Sequence, residues 1–173
     1  TEEEIKIEVI FPAWLEKKII IALLAAHPYE EVAYDIISLD NENQAIGSGL
    51  VGELATPLAE EAFLQLLKSR FGLSVIRHTA LLGRPVQKIA LCGGAGAFLA
   101  GAARAAGADF YVTSDIKYHE FFDAEDRLVI ADIGHYESEQ FTTELLFAIL
   151  TQKFPTFAVL KTGVKTNPVR YFL

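Results

Sequence analysis

Two residues set four apart, His135 and Glu139, are the strongest candidates for chemistry in this sequence. Residues at i and i+4 share one helix face, so the imidazole and the carboxylate can point at a single cation. That pairing suits zinc, iron or manganese. Two ligands are an incomplete set, since a stable site needs three or four. The competing account is a capping histidine beside a solvated glutamate. Asp132-Ile133-Gly134 reads as a strand end, which places His135 at a carboxyl edge, where α/β sheets hold ligands. Glu137 is a neighbouring carboxylate directed elsewhere on the helix. Thr113-Ser114-Asp115 and Lys117-Tyr118-His119 follow another apolar strand and are expected to face the same crevice. Asp115 could orient His119 as a general acid or base, or be an N-cap beside a surface histidine.

Other groups carry weaker signals. Cys92-Gly93-Gly94-Ala95-Gly96 joins a strand to a helix, and such a turn can cradle phosphate on its amides. The dinucleotide fingerprint would need glycine where Leu99 stands, and no Gly-Lys-Ser/Thr follows, so a tight packing turn is favoured. His27-Pro28-Tyr29-Glu30-Glu31 reads as a helix-to-strand turn, His78 as structural, and Cys92 as a core thiol lacking a partner base.

The elements that must position these residues are legible in the periodicities. Ile5 to Phe11 alternates apolar and charged residues like a strand. Trp14 to Ala26 carries Leu15, Ile19, Leu23 and Ala26 at helical spacing, closed by His27-Pro28. Val32 to Leu39 reads as a second strand, followed by a polar turn over Asp40–Asn43. This β-α-β unit is half of a ferredoxin-like sandwich without its mate. Gly47-Ser48-Gly49 and Gly52 mark a boundary. Thr56-Pro57 predicts a helix start, with Glu60 and Glu61 in its first turn and Gly72 at its end. Strands are predicted at Val75–His78, Lys88–Cys92, Phe110–Thr113 and Leu128–Ile133. Helices are predicted at Ala97–Ala106, His119–Phe122 and Glu137–Lys153, with Phe157–Leu160 closing the core. The alternation predicts an α/β layered domain with a mainly parallel sheet.

Composition narrows the function classes. The chain has 173 residues, enough for one domain or two small ones. Its net charge of −8 disfavours nucleic acid and anionic membranes as partners. One cysteine excludes an internal disulfide and a cysteine-rich zinc module. No secretory signal or membrane span is visible in the sequence, and a reducing, cytoplasmic compartment is expected. The start at Thr1 and the absence of methionine fit either a trimmed terminus or a piece of a longer protein.

Four blocks occur in one order: His27-Pro-Tyr-Glu-Glu-Val-Ala-Tyr-Asp35, Leu91-Cys-Gly-Gly-Ala-Gly96, Thr113-Ser-Asp-Ile-Lys-Tyr-His119 and Asp132-Ile-Gly-His-Tyr-Glu-Ser-Glu139. Together they resemble the dinuclear-metal-centre hexameric family, the Nif-three-like proteins, also called GTP cyclohydrolase I type 2 homologues. The resemblance implies an α/β core whose two related halves enclose two divalent ions, in subunits that form a hexameric toroid. Residues 1–46 would be part of a PII- or CutA-like insert and residues 47–173 the C-terminal half of the core. By the same resemblance His135 and Glu139 are metal ligands, and Asp115 and His119 belong to a motif lining the cleft with catalytic roles. The family's further histidine and aspartate ligands have no counterpart here, which implies a C-terminal fragment with part of the site. The implied function is a metal-dependent hydrolase of a nucleotide-like or phosphoester small molecule, working through activated water. The alternative is a non-catalytic hexameric assembly or regulatory protein whose PII-like insert senses a small molecule.

Overall fold

The computed structural model describes residues 5–41 and 46–172. The chain divides into two compact units, Thr1–Glu42 and Asn43–Leu173. The last two residues of the turn expected over Asp40–Asn43 lie outside the described residues. In the first unit, Pro12 leads through a single 3-10 turn at Ala13–Leu15 into helix α1, Glu16–Ala26. The His27 amide closes α1 on the Leu23 carbonyl, and Pro28 prevents continuation. The two strands expected on either side of α1 do not form: residues 5–12 and 32–41 enter no ladder. An alternating pattern specifies which face would be buried, but a strand exists only with a partner. No such partner is present among the described residues of this unit. Ile5, Ile7 and Ile10 accordingly stand exposed.

The second unit is built on a five-stranded sheet in the order β1-β3-β4-β5-β2. Its strands are β1 Leu50–Leu58, β2 Arg77–His78, β3 Val86–Ala95, β4 Phe110–Ser114 and β5 Val129–Asp132. The three central strands run parallel, and the edge strands β1 and β2 pair antiparallel to β3 and β5. Helix α2, Glu60–Phe71, covers one face. There Phe63, Leu67, Val86, Phe110, Val112 and Val129 form one core. Phe63 and Phe110 meet edge to face, 4.9 Å between ring centres. On the other face, helix α3, Ala100–Ala105, and a 3-10 segment, Tyr118–Ala124, bury Ala90, Tyr111, Leu128 and Ile130. Every residue of β4 and β5 is buried, the pattern of strands covered on both sides.

Several expected boundaries move. Thr56-Pro57 does not start a helix; both residues lie in β1, and α2 begins three residues after the proline behind Ala59, which provides no side-chain cap. Proline lacks the amide that a central strand would need, and β1 tolerates it as an edge strand whose register slips between Glu53 and Leu58. The long helix expected over Glu137–Lys153 is two helices, α4 His135–Glu139 and α5 Thr142–Lys153. At the break, Gln140 Nε2 donates to the carbonyls of Phe71 and Glu137, at 2.9 and 3.0 Å. Phe157–Leu160 does not close the core: the segment is irregular, with Phe157 71% and Leu160 90% exposed. No described helix is long and apolar enough to cross a membrane.

Candidate metal centre

Strands β4 and β5 are parallel neighbours with Thr113 opposite Asp132, so their carboxyl ends deliver the next residues side by side. Asp115 follows β4 in a left-handed conformation, φ 58°, a cost for a residue with a Cβ that marks a constrained position. Gly134 follows β5 at φ 90°, and His135 opens α4. The result brings together residues 20 apart in sequence: the His135 Nδ1 lies 2.7 Å from Asp115 Oδ2. On the other side of the ring, Nε2 lies 3.2 Å from Glu139 Oε2, one helical turn on. The hydrogen bond to Asp115 raises the His135 pKa above its ordinary value; partial desolvation opposes it, and the charges of Asp115 and Glu139 add to the rise. With Asp115 accepting from Nδ1–H, the neutral ring presents its lone pair at Nε2.

The glycine turn is part of this arrangement. Gly94 is left-handed, φ 67°, and a Cβ there would stand 2.5 Å from Glu139 Oε1 and 3.4 Å from His135 Cε1. Its carbonyl accepts from Ser114 Oγ at 2.5 Å and Thr113 Oγ1 at 3.2 Å, and its amide donates to Ser138 Oγ at 2.9 Å. Ser138 in turn donates to the His135 carbonyl, at 2.8 Å. The Gly94 amide is therefore spent on α4, and the turn serves close approach of helix to sheet. Two residues on, Tyr111 donates its hydroxyl to the Gly96 carbonyl at 2.6 Å; burial pushes its pKa up to about 12, so it remains a neutral donor.

The other candidates take no part in the Asp115–His135–Glu139 hydrogen bonds. His119 is exposed in the 3-10 segment after β4 and hydrogen-bonds none of Asp115, His135 or Glu139. Glu137 points away and accepts from Asn167 Nδ2 at 3.1 Å. His27 Nδ1 accepts from the Tyr29 amide at 3.2 Å within its own turn, and His78 sits on edge strand β2 with Nδ1 2.7 Å from the Thr79 carbonyl oxygen. Cys92 is a buried thiol directed at the Gly93 carbonyl. A cleft of about 490 Å³ opens beside Asp115, walled by Phe98, Lys117, Glu120 and Asp123. Sequence reasoning anticipated Gly94 as part of a tight packing turn but missed its partner Ser138, whose role arises only when α4 packs on β3.

The donor set fits a metal ion in part. Two ligands each about 2.1 Å from a shared ion stand about 3.0–3.4 Å apart in tetrahedral or octahedral geometry, and His135 Nε2 and Glu139 Oε2 are at 3.2 Å. Asp115 lies on the far side of the ring, where it orients the imidazole and is not placed to share an ion with Nε2. Among the described residues no three His, Cys, Asp or Glu side chains surround a common point.

The family model described as Duf34/NIF3 (NGG1p interacting factor 3) matches residues 8–168. A GTP cyclohydrolase 1 type 2 homolog of Halalkalibacterium halodurans is 35% identical over 98% of this chain and 46% of its own length. A protein of the same name from Listeria innocua is 39% identical over 76% of this chain and 36% of its own. The crystal structure of a Bacillus cereus protein related to NIF3 superposes with a TM-score of 0.74 at 33% identity, covering 94% of this chain and 46% of that one. The chain thus spans about half the length of the Halalkalibacterium relative and of the Bacillus cereus structure. With a match from residue 8 to residue 168, the chain belongs to the Duf34/NIF3 family.

Proposed function

We propose that this chain contributes His135 and Glu139 to a divalent-metal centre of a hydrolase acting on a nucleotide-like or phosphoester substrate. The observation that carries the reading is the His135 ring itself, held by Asp115 at Nδ1 and presenting Nε2 at ligand-pair distance from Glu139. When bound, divalent ions acidify water and polarise a phosphoryl or ring-carbon electrophile. The chain's own residues do the rest. Asp115 fixes the tautomer and ring angle of His135 and stabilises it against rotation. Gly94 permits Glu139 to reach the ring, and Ser138 ties α4 to β3. The cleft beside Asp115 offers an aromatic wall at Phe98 for a planar group. Asp115, Glu120 and Asp123 outnumber Lys117 there, so the charge of bound divalent ions would have to offset these carboxylates for an anionic substrate to settle. Residues 1–46 are assigned to part of an insert and residues 47–173 to the C-terminal half of the core. The remaining ligands and the hexameric assembly are assigned to the full-length protein.

The test is elemental analysis of the full-length protein, followed by a screen of nucleotides and phosphoesters with metal-loaded and chelated samples. Bound metal that is lost in His135→Ala and Glu139→Ala, with hydrolysis that requires it, is the expected result. Metal retained in both variants would overturn the ligand assignment. Stoichiometric metal with no hydrolysis across the screen would overturn the hydrolase.

A further inference from the structure

We infer that the buried Asp132 carboxylate, paired with Arg77, is a positioning device for the site, setting the two strand-end loops that bring Asp115 to His135. Asp132 is the last residue of β5 and is 6% exposed. Its carboxylate reaches into both loops. Oδ1 accepts from the Gly134 amide at 3.0 Å, the residue before His135. Oδ2 accepts from the Ile116 amide at 3.0 Å, the residue after Asp115. Arg77, opposite Asp132 on β2, donates Nη2 to the same Oδ2 and also to the Ile116 carbonyl, at 2.8 Å. Its guanidinium lies over the Phe121 ring, 5.4 Å from the centre.

One side chain therefore holds the backbone immediately adjoining each partner of the Asp115–His135 hydrogen bond. A buried carboxylate is retained where cation and amides together satisfy it. Here the amides that satisfy it belong to the loops that need fixing. Both Asp115 and Gly134 occupy positive φ, and these hydrogen bonds sit beside both.

The inference deepens the metal reading but is measured without it. In the chain labelled with ¹⁵N-histidine, ring nitrogen shifts report the tautomer of His135. At a pH high enough to leave the ring neutral, wild type should hold Nδ1–H, bonded to Asp115. Asp132→Asn removes one acceptor and the charge that pairs Arg77, and should give a tautomer mixture. The control is Glu60→Gln. Glu60 is a comparably buried carboxylate that accepts from the Leu82 and Gly83 amides, both at 2.8 Å, and touches no site residue. It should lower the melting temperature and leave the His135 tautomer unchanged. In the full-length protein, zinc affinity by chelator competition should fall about 10–100-fold for Asp132→Asn and stay unchanged for Glu60→Gln. If Asp132→Asn does not fold, Arg77→Ala, altering a largely exposed side chain, carries the same expectation. An unchanged tautomer in a folded Asp132 or Arg77 variant, or an equal change in Glu60→Gln, overturns the inference. A tautomer change in a protein that binds no zinc would uphold it while removing the metal reading.

Discussion

Gly94 shows how much of the site rests on a missing side chain. Alanine there must hold φ 67° and place its Cβ against the Glu139 carboxylate. The backbone alone costs about 1–2 kcal/mol, and displacing Glu139 separates the ligand pair. Gly94→Ala should lower the melting temperature and reduce metal uptake together; a variant that melts lower but loads metal normally would show that Glu139 is placed by α4 alone. His135 and Asp115 make a second prediction, through pH. The pKa of His135 is raised in the folded chain, chiefly by its hydrogen bond to Asp115. A raised histidine stabilises the fold fully below its unfolded value, near 6.5, and that contribution disappears as pH rises through the folded value. The metal-free wild type should therefore exceed Asp115→Asn in melting temperature most at acid pH, with the gap narrowing above neutrality. Metal loading should run the opposite way, because only the neutral ring offers Nε2. Melts of both proteins across the range, with and without zinc, check both signs.

The elements differ in how far sequence determines them. β4 and β5 each open on an apolar run, Phe110–Val112 and Val129–Ala131, and burial on both faces leaves them no alternative. Phe110→Ala at the centre of that sheet, facing Phe63, should cost about 3–5 kcal/mol, read from denaturant unfolding; a loss under 1 kcal/mol would mean the core collapses around it. The helix pair α4 and α5 was not legible, because its break depends on Gln140 reaching the Phe71 carbonyl 69 residues away. Thr56-Pro57 misled for a related reason: a capping signature is local, whereas edge position in a sheet is not. In the site, His135 and Glu139 were legible as a helical i, i+4 pair. Asp115 was legible as a candidate, but its pairing with His135 follows from the β4–β5 register, which no spacing rule supplies. The expected strands flanking α1 do not form because a period of two specifies a face and leaves the partner unspecified.

At the scale of the molecule, two properties point beyond this chain. Helix α5 has no buried residue, and Leu145, Leu146, Ile149 and Leu150 are exposed on it, an arrangement stable proteins cover. The chain also matches relatives about twice its length. The donor count leads to the same place by an independent route. In the proposed centre His135 and Glu139 would supply two ligands, while Asp115 is committed to Nδ1 on the far side of the ring. Recruiting a third or fourth donor from mobile surface side chains costs conformational entropy for each one ordered, so affinity falls well below that of a complete centre. This chain alone should bind metal weakly, with no equivalent surviving dialysis against a chelator, whereas the full-length protein should retain its complement under the same treatment. Elemental analysis of the two proteins side by side makes the comparison, and His135→Ala in the full-length protein should remove metal with little change in melting temperature of the metal-free form above neutrality, where the hydrogen bond to Asp115 no longer adds stability. Two equivalents held tightly by this chain in isolation would mean that its own residues rearrange to complete the site, and the division of ligands between two halves would then be wrong.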